Sequence, residues 1–587
     1  MGGMGTRLGS ISALVAALVA ACTAAATRTN DAPDASVRWV QAPPSIHDAE
    51  APRDAGPDTA PIDLEDFHVP GTQMGDVASN GNFLLSSICA VCHSSQHGAQ
   101  KNLEHSPWET WAGSLMALAG KDPLFYAQLT TANQDVPGVG YYCLRCHVPM
   151  SVPTGHAADP SGATLDVVDR DGVACHFCHA MVDPLATDGG AVDPRDLGTV
   201  SKLADPPRHY GNAQFVLDPG WLRRGPYSDA GALHDYAWSS SFLARGDLCG
   251  TCHDVGNVAV SKLANGGYAY NAPHIRAPDA DPRAQFPLER TYTEWKLSAY
   301  ANGGVDLGGR FGGQGATVVS TCQDCHMPRA TGKGCFVGEV RGDLAEHEFA
   351  GASAWVIEIA GIQYKGQVDA DAIERGKQRA VAMVQRAATL ALQQSGAKLR
   401  LRVTNESGHK LPTGHIEGRR VWPRVQIFGA QQNVLADWGR WDATTGDLDA
   451  TNTTVFEMHI GLSADAAKRT GLPAGPTTHM SLADVIVKDN RIPPRGFANA
   501  PYEAAGAGAV GATYADGQHW ADLEWTLPQG AVRAKVTLYY QTVTREYVEA
   551  LANGNHTDNW GQTLEQLWKQ TQMGPPIEIT TKEIALQ

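Results

Sequence analysis

Five copies of one pentapeptide limit what this chain can become. They are Cys89-Ala90-Val91-Cys92-His93, Cys143-Leu144-Arg145-Cys146-His147, Cys175-His176-Phe177-Cys178-His179, Cys249-Gly250-Thr251-Cys252-His253 and Cys322-Gln323-Asp324-Cys325-His326. Cys-x-x-Cys-His is the attachment signature of c-type haem. Two intervening residues let both thiols reach the vinyl groups on one porphyrin edge, and the following His then lies under the ring and meets the iron. Cys-x-x-Cys pairs also build zinc ribbons and thioredoxin-like redox sites. Neither accounts for a His directly after the second Cys every time. The spacing therefore predicts five haems c, on Cys89, Cys92, Cys143, Cys146, Cys175, Cys178, Cys249, Cys252, Cys322 and Cys325, with His93, His147, His179, His253 and His326 as proximal ligands.

These sites use ten of the 12 cysteines. The others are Cys22 and Cys335, the latter read as a small buried hydrophobe. Sixteen histidines remain, and an iron that only relays electrons needs a second axial ligand. His347, in Glu346-His347-Glu348-Phe349, is the first candidate and His234 the second. His105 competes with His97 for the first haem or a neighbour, and His409 and His156 are further candidates. Met116 is a candidate thioether ligand, which would raise the potential of its haem above that of bis-His partners. His176 lies between two attachment cysteines and cannot easily reach its own iron.

The N-terminus carries an export pattern. Arg7 precedes the apolar stretch Leu8 to Ala21, which is too short to span a bilayer. Val19-Ala20-Ala21-Cys22 resembles a bacterial lipobox, which implies cleavage before Cys22, a lipid on its sulfur and a periplasmic or outer-membrane location. Thr23 rather than Asp after Cys22 favours the outer membrane by the same resemblance. The formal charge of −16 argues against a nucleic-acid partner, because such binding rests on clustered Lys and Arg. It suits redox partner proteins with a basic face. Contact with a membrane would run through the lipid anchor only.

Length alone suggests about three to four units. The reading divides the chain into a signal peptide (1–21), a lipidated disordered tether (22–80), a pentahaem domain (81–366), a connecting helix (367–396) and a β-sandwich-like domain (397–587). The haem region is expected to be mainly helical and irregular, with the cofactors supplying much of its core. Its unequal motif gaps exclude a simple repeat array. Trp111, Leu115 and Leu118 suggest a helix over 108–118. Asp369 caps a long helix whose stripe runs Ile373, Ala380, Val384, Ala387 and Ala391, with Gly396 as its stop. After it the period becomes two, as in Leu399, Leu401 and Val403 and again in Val532 to Tyr540, which suggests an all-β C-terminal domain. Asp558 to Gln572 suggests a closing helix.

Residues 108 to 326 resemble a family of bacterial multihaem c cytochromes. The resemblance rests on Trp111-Ala112-Gly113-Ser114-Leu115-Met116-Ala117, Asp122-Pro123, Asp171-Gly172-Val173-Ala174-Cys175, Cys249-Gly250-Thr251-Cys252-His253-Asp254 and Cys322-Gln323-Asp324-Cys325-His326-Met327-Pro328. It continues in Gly408-His409-Lys410-Leu411-Pro412-Thr413-Gly414-His415 and Asp489-Asn490-Arg491-Ile492-Pro493-Pro494-Arg495-Gly496-Phe497. It implies haem binding and electron transfer with no defined substrate. It also favours His409 and Met116 as ligands or haem contacts, while leaving open whether His409 or His415 faces a haem. The alternative is a multihaem enzyme acting on a small nitrogen or sulfur compound at one open iron, with Tyr141 or Tyr142 in its pocket. Five-haem nitrite reductases usually mark that iron with Cys-x-x-Cys-Lys, and no such motif occurs here. A third reading gives the β-domain a binding role of its own.

Overall fold

The computed structural model describes residues 67–77, 83–95, 103–186, 193–220, 222–229, 237–415 and 417–587. The signal peptide, Cys22, His97 and His234 lie outside the described residues. No helix among the described residues is long and apolar enough to cross a membrane.

Each attachment motif sits on or at the end of a short helix: Ser86–His93, Gly140–His147, Cys175–Ala180, Gly246–Gly250 and Cys322–His326. Helical spacing i, i+3, i+4 puts both thiols and the imidazole on one face. The last of these helices opens with a capping box between Thr321 and Asp324, which satisfies two of the backbone donors left free at a helix start. Cys143, Cys146, Cys178 and Cys252 lie on the rim of one apolar cluster built on Phe125, Tyr126, Leu144, Phe177 and Phe215. Cys325 borders another around Tyr300, Phe311 and Met383.

The tether expected to run to residue 80 ends sooner, because residues 67–77 pack on the body. Phe67 and Val69 are buried, and the Phe67 ring lies 6.4 Å from that of Tyr142. Arg145, inside the second motif, is fully buried and holds this segment in place. It donates to Thr72 O at 3.1 Å and to Ala213 O at 3.0 Å, with its guanidinium 4.7 Å from the Phe215 ring. A tether dominated by Ala, Asp and Pro gives no hint of this clamp, since its partner lies beyond position 140.

Two further expectations are corrected. The helix over 108–118 is two pieces, Pro107–Trp111 and Leu115–Leu118, the second capped by Ser114 Oγ on Ala117 N at 3.2 Å. The break admits the helix Ala370–Gln385 at backbone distance: a Cβ on Gly113 would lie 1.8 Å from Ala372 O, and one on Gly376 1.9 Å from Gly113 O. The long helix to Gly396 stops at Gln385. Residues Ala388–Ser395 form a strand that pairs with Lys398–Asn405 over eight residues, and Gly396 (φ 58°) turns the hairpin. Ala387 and Ala391 suit either period, and cross-strand pairing decides for the strand.

Among the antiparallel sheets of the C-terminal part, two share a core, and a third joins Met458–Leu462 to Gly475–Pro476 and Val485–Asp489. Of the first two, one orders Ala388–Ser395, Lys398–Asn405 and Trp520–Thr526; the other orders Val434–Trp438, Arg420–Gly429, Ala531–Gln541 and Ile577–Ala585. Their inner faces share one core that includes Leu399, Leu401, Val403, Val425, Ile427, Val536 and Leu538. Lys398, Arg400 and Arg402 point outward and pair across the strand with Glu524 and Asp522 at 2.7–2.8 Å. Small sheets also occur in the haem region, as in Val255–Lys262 with Gln285–Glu289. The helices Arg545–Gly554 and Trp560–Gln570 pack with Ala127 of the helix Pro123–Asp135 and with Trp355 in one apolar cluster. That shared core crosses the boundary expected near residue 366.

Candidate metal centre

The attachment helices touch one another through their sulfurs. The free thiols of Cys89 and Cys175, of Cys146 and Cys252, and of Cys249 and Cys322 lie near enough to shift one another's proton affinity, and Cys249 acts on Cys178 in the same way. The fourth site therefore borders the second, third and fifth, and the third borders the first. A hydrogen-bond relay also ties the first site to the third: Ser86 N donates to Asp171 at 2.7 Å, and Cys175 N donates to Ser86 Oγ at 3.0 Å. His176 joins it by accepting from Leu84 N at 3.1 Å.

All ten motif cysteines are free thiols and only half-buried, although free cysteine is among the most fully buried residue types. Burial of the sulfurs nonetheless pushes the Cys143, Cys178 and Cys325 thiols up to about 12. Zinc and redox sites need thiolates. Among the described residues the one convergent three-ligand group is His156, Asp166 and Asp169, which contains no cysteine. Cys89 and Cys249 shift the other way, toward the thiolate, because of their neighbouring thiols Cys175 and Cys322.

The histidines are oriented from behind. Nδ1 of His93 lies 2.6 Å from Gly334 O, that of His179 2.5 Å from Arg224 O, and that of His326 2.7 Å from Ala350 O. His253 differs: its Nδ1 faces Glu289 Oε1 at 3.1 Å. A partner on Nδ1 fixes the tautomer and leaves Nε2 for a metal. His147 is instead stacked on Phe125, with ring centres 4.1 Å apart. Burial lowers His147 and His326 to about 4 and His347 to about 3, so these rings are neutral at pH 7, the form that ligates.

Two attachment histidines face a second imidazole. His179 and His347 have ring centres 6.4 Å apart with planes at 25°, and His326 and His409 have the same separation with planes at 19°. Two imidazoles on opposite sides of one metal, at about 2.0–2.1 Å per bond and about 1.1 Å from nitrogen to ring centre, stand about 6.3 Å apart. His347 and His409 are likewise held through Nδ1, by Ala345 O at 3.1 Å and Lys410 O at 3.0 Å. The donor set and its spacing would suit a metal held between the paired imidazoles at both places.

His409 reaches His326 because its loop is pinned by buried charge. Lys410 Nζ meets Asp489 Oδ2 at 2.7 Å, and Arg491 bonds to the same carboxylate at 2.7 and 2.8 Å and to Glu294 at 3.2 Å. Glu294 also accepts from Lys410 N at 3.0 Å and Thr413 Oγ1 at 2.8 Å. Both C-terminal segments of the resemblance are thereby joined to Thr291–Lys296, the helix that follows the fourth site. His415, in the same loop, lies near enough to His147 to feel its charge, with Nε2 3.1 Å from Tyr547 Oη. Of the two loop histidines, His409 faces an attachment histidine, whereas the ring of His415 packs on Tyr547.

The remaining candidates lie elsewhere. His105 Nδ1 meets Glu346 at 2.7 Å, beside His347, and His156 meets Asp169 at 2.6 Å. Met116 is half-buried, and its backbone carbonyl accepts from Val173 N at 2.8 Å, tying its segment to the approach of the third site. Glu289 escaped sequence reasoning, since nothing in its neighbourhood marks it as the partner of a histidine thirty-six positions earlier.

No protein-family model matches the chain, and no curated protein matches it. The chain is similar to the crystal structure of a penta-heme cytochrome c552 from Thermochromatium tepidum, with a TM-score of 0.46 and 17% identity over 86% of this chain and 99% of that one.

Proposed function

We propose that this chain is an exported multihaem c-type cytochrome that relays electrons, held at a membrane surface by a lipid on Cys22. The observation that carries the reading is the set of five touching Cys-x-x-Cys-His sites, two of which oppose their histidine to a second imidazole at 6.4 Å. The ten cysteines would hold five haems by thioether bonds. His93, His147, His179, His253 and His326 would be the proximal ligands, with His347 opposite His179 and His409 opposite His326. Haem c supplies reversible one-electron chemistry at iron when bound.

The protein's own residues then do three things. Backbone carbonyls and Glu289 orient the proximal rings. The apolar clusters around Phe177 and Tyr300 shield the sites from water. The salt-bridged loop from Asn405 would present His409 to the iron of the fifth site. Electron relay needs irons closed on both sides, whereas an enzyme needs one open. Electron paramagnetic resonance of the oxidised protein should give low-spin signals for the irons on His179 and His326 and no dominant high-spin signal. A large high-spin signal would replace relay by turnover of a small nitrogen or sulfur compound.

A further inference from the structure

The fourth attachment site is unlike the others in two respects. It borders three neighbouring sites, through Cys252 to Cys146, through Cys249 to Cys322, and beside Cys178. Its histidine also has a carboxylate behind it. The rings of His93, His179 and His326 are backed by the neutral carbonyls of Gly334, Arg224 and Ala350. His253 is backed by Glu289 Oε1 at 3.1 Å. Glu289 ends the strand Gln285–Glu289, which pairs with the strand starting at Val255, so sheet register carries the carboxylate back to His253. Thr291 Oγ1 donates to the same oxygen at 3.0 Å. Arg419 also acts on its charge, with its Nη1 donating to Thr413 O at 2.7 Å.

Resting on the haem reading above, we propose that Glu289 is a positioning residue that lowers the reduction potential of the iron held by His253. A carboxylate accepting the Nδ1 proton gives the imidazole part of the character of an imidazolate. The ring becomes a stronger donor, and the ferric state gains over the ferrous one. A peptide carbonyl does this more weakly because it carries no net charge. The side chain of Glu289 is largely buried, at 19% exposure, while that of His253 is 48% exposed, so the carboxylate is screened less than a surface charge. The site with the most neighbours is thus tuned apart from the rest, and its potential governs how electrons distribute among the others.

The test is a spectroelectrochemical titration of full-length holoprotein, wild type against Glu289→Gln and Glu289→Asp, with haem counted in each. In Glu289→Gln one of the one-electron steps should move to more positive potential by at least a tenfold change in the oxidised-to-reduced ratio, about 59 mV for one electron, while the others stay. Glu289→Asp should restore most of the shift. If Glu289→Gln does not accumulate, Thr291→Val removes a competing donor from the carboxylate and should move the same step in the negative direction. Unshifted steps in a protein that keeps its haems would overturn the assignment of Glu289 alone. A wild-type protein that carries no haem would instead overturn the reading on which it rests.

Discussion

Replacing His409 with alanine should open one iron. The holoprotein should keep all its haems, because His326, Cys322 and Cys325 are untouched, but the iron that His326 would hold loses the second imidazole, whose ring centre lies 6.4 Å from that of His326. That iron passes from low to high spin in the oxidised protein. The reduced protein binds carbon monoxide at one more haem per molecule than wild type, and the corresponding potential rises. His347→Ala gives the same signature at the iron on His179. A spectrum and carbon monoxide stoichiometry unchanged in His409→Ala would show that the β-domain loop contributes no ligand.

The second large effect is on stability, and it reaches the same iron. Lys410 and Asp489 form a pair whose side chains are 1% and 2% exposed, and Arg491 shares the carboxylate. Asp489→Ala leaves Lys410 buried without its carboxylate partner and Arg491 with Glu294 alone. Removing one member of a buried pair costs about 3–5 kcal/mol. Chemical denaturation followed by circular dichroism should show a loss of that size. The high-spin signature of His409→Ala should appear alongside it, because the loop that presents His409 is no longer anchored. The outward pair Arg402–Asp522, at 47% and 56% exposure, provides the contrast: Asp522→Ala should cost about 0–1 kcal/mol. Equal losses from the two variants would mean that the buried network does not hold the loop.

The attachment sites were legible because their chemistry is local. Two cysteines and a histidine at i, i+3 and i+4 share one helical face whatever surrounds them. The opposing imidazoles are non-local. His347 was the first candidate by its sequence surroundings and His409 one of several behind His234, but nothing along the chain paired His347 with His179 or His409 with His326. His415 could not be told from His409 for the same reason; the structure sets His409 against His326 and His415 against Tyr547. Glu289 left no trace at all, since sheet register and not spacing brings it to His253. The misread segments have physical causes as well. An alanine-rich stretch at 387–395 suits helix or strand equally until a partner strand arrives. The break at 112–114 exists because Gly113 and Gly376 let two backbones touch. Residues 67–77 are ordered by Arg145, a side chain that sequence alone would place on a surface.

The most direct measurement is the intact mass of the mature protein from a host able to attach haem c, with a haem stain on the same sample. The mature chain should begin at Cys22, carry lipid and gain the mass of five haems that survive denaturation. A colourless protein at the bare polypeptide mass, or one whose thiols hold zinc, would contradict it.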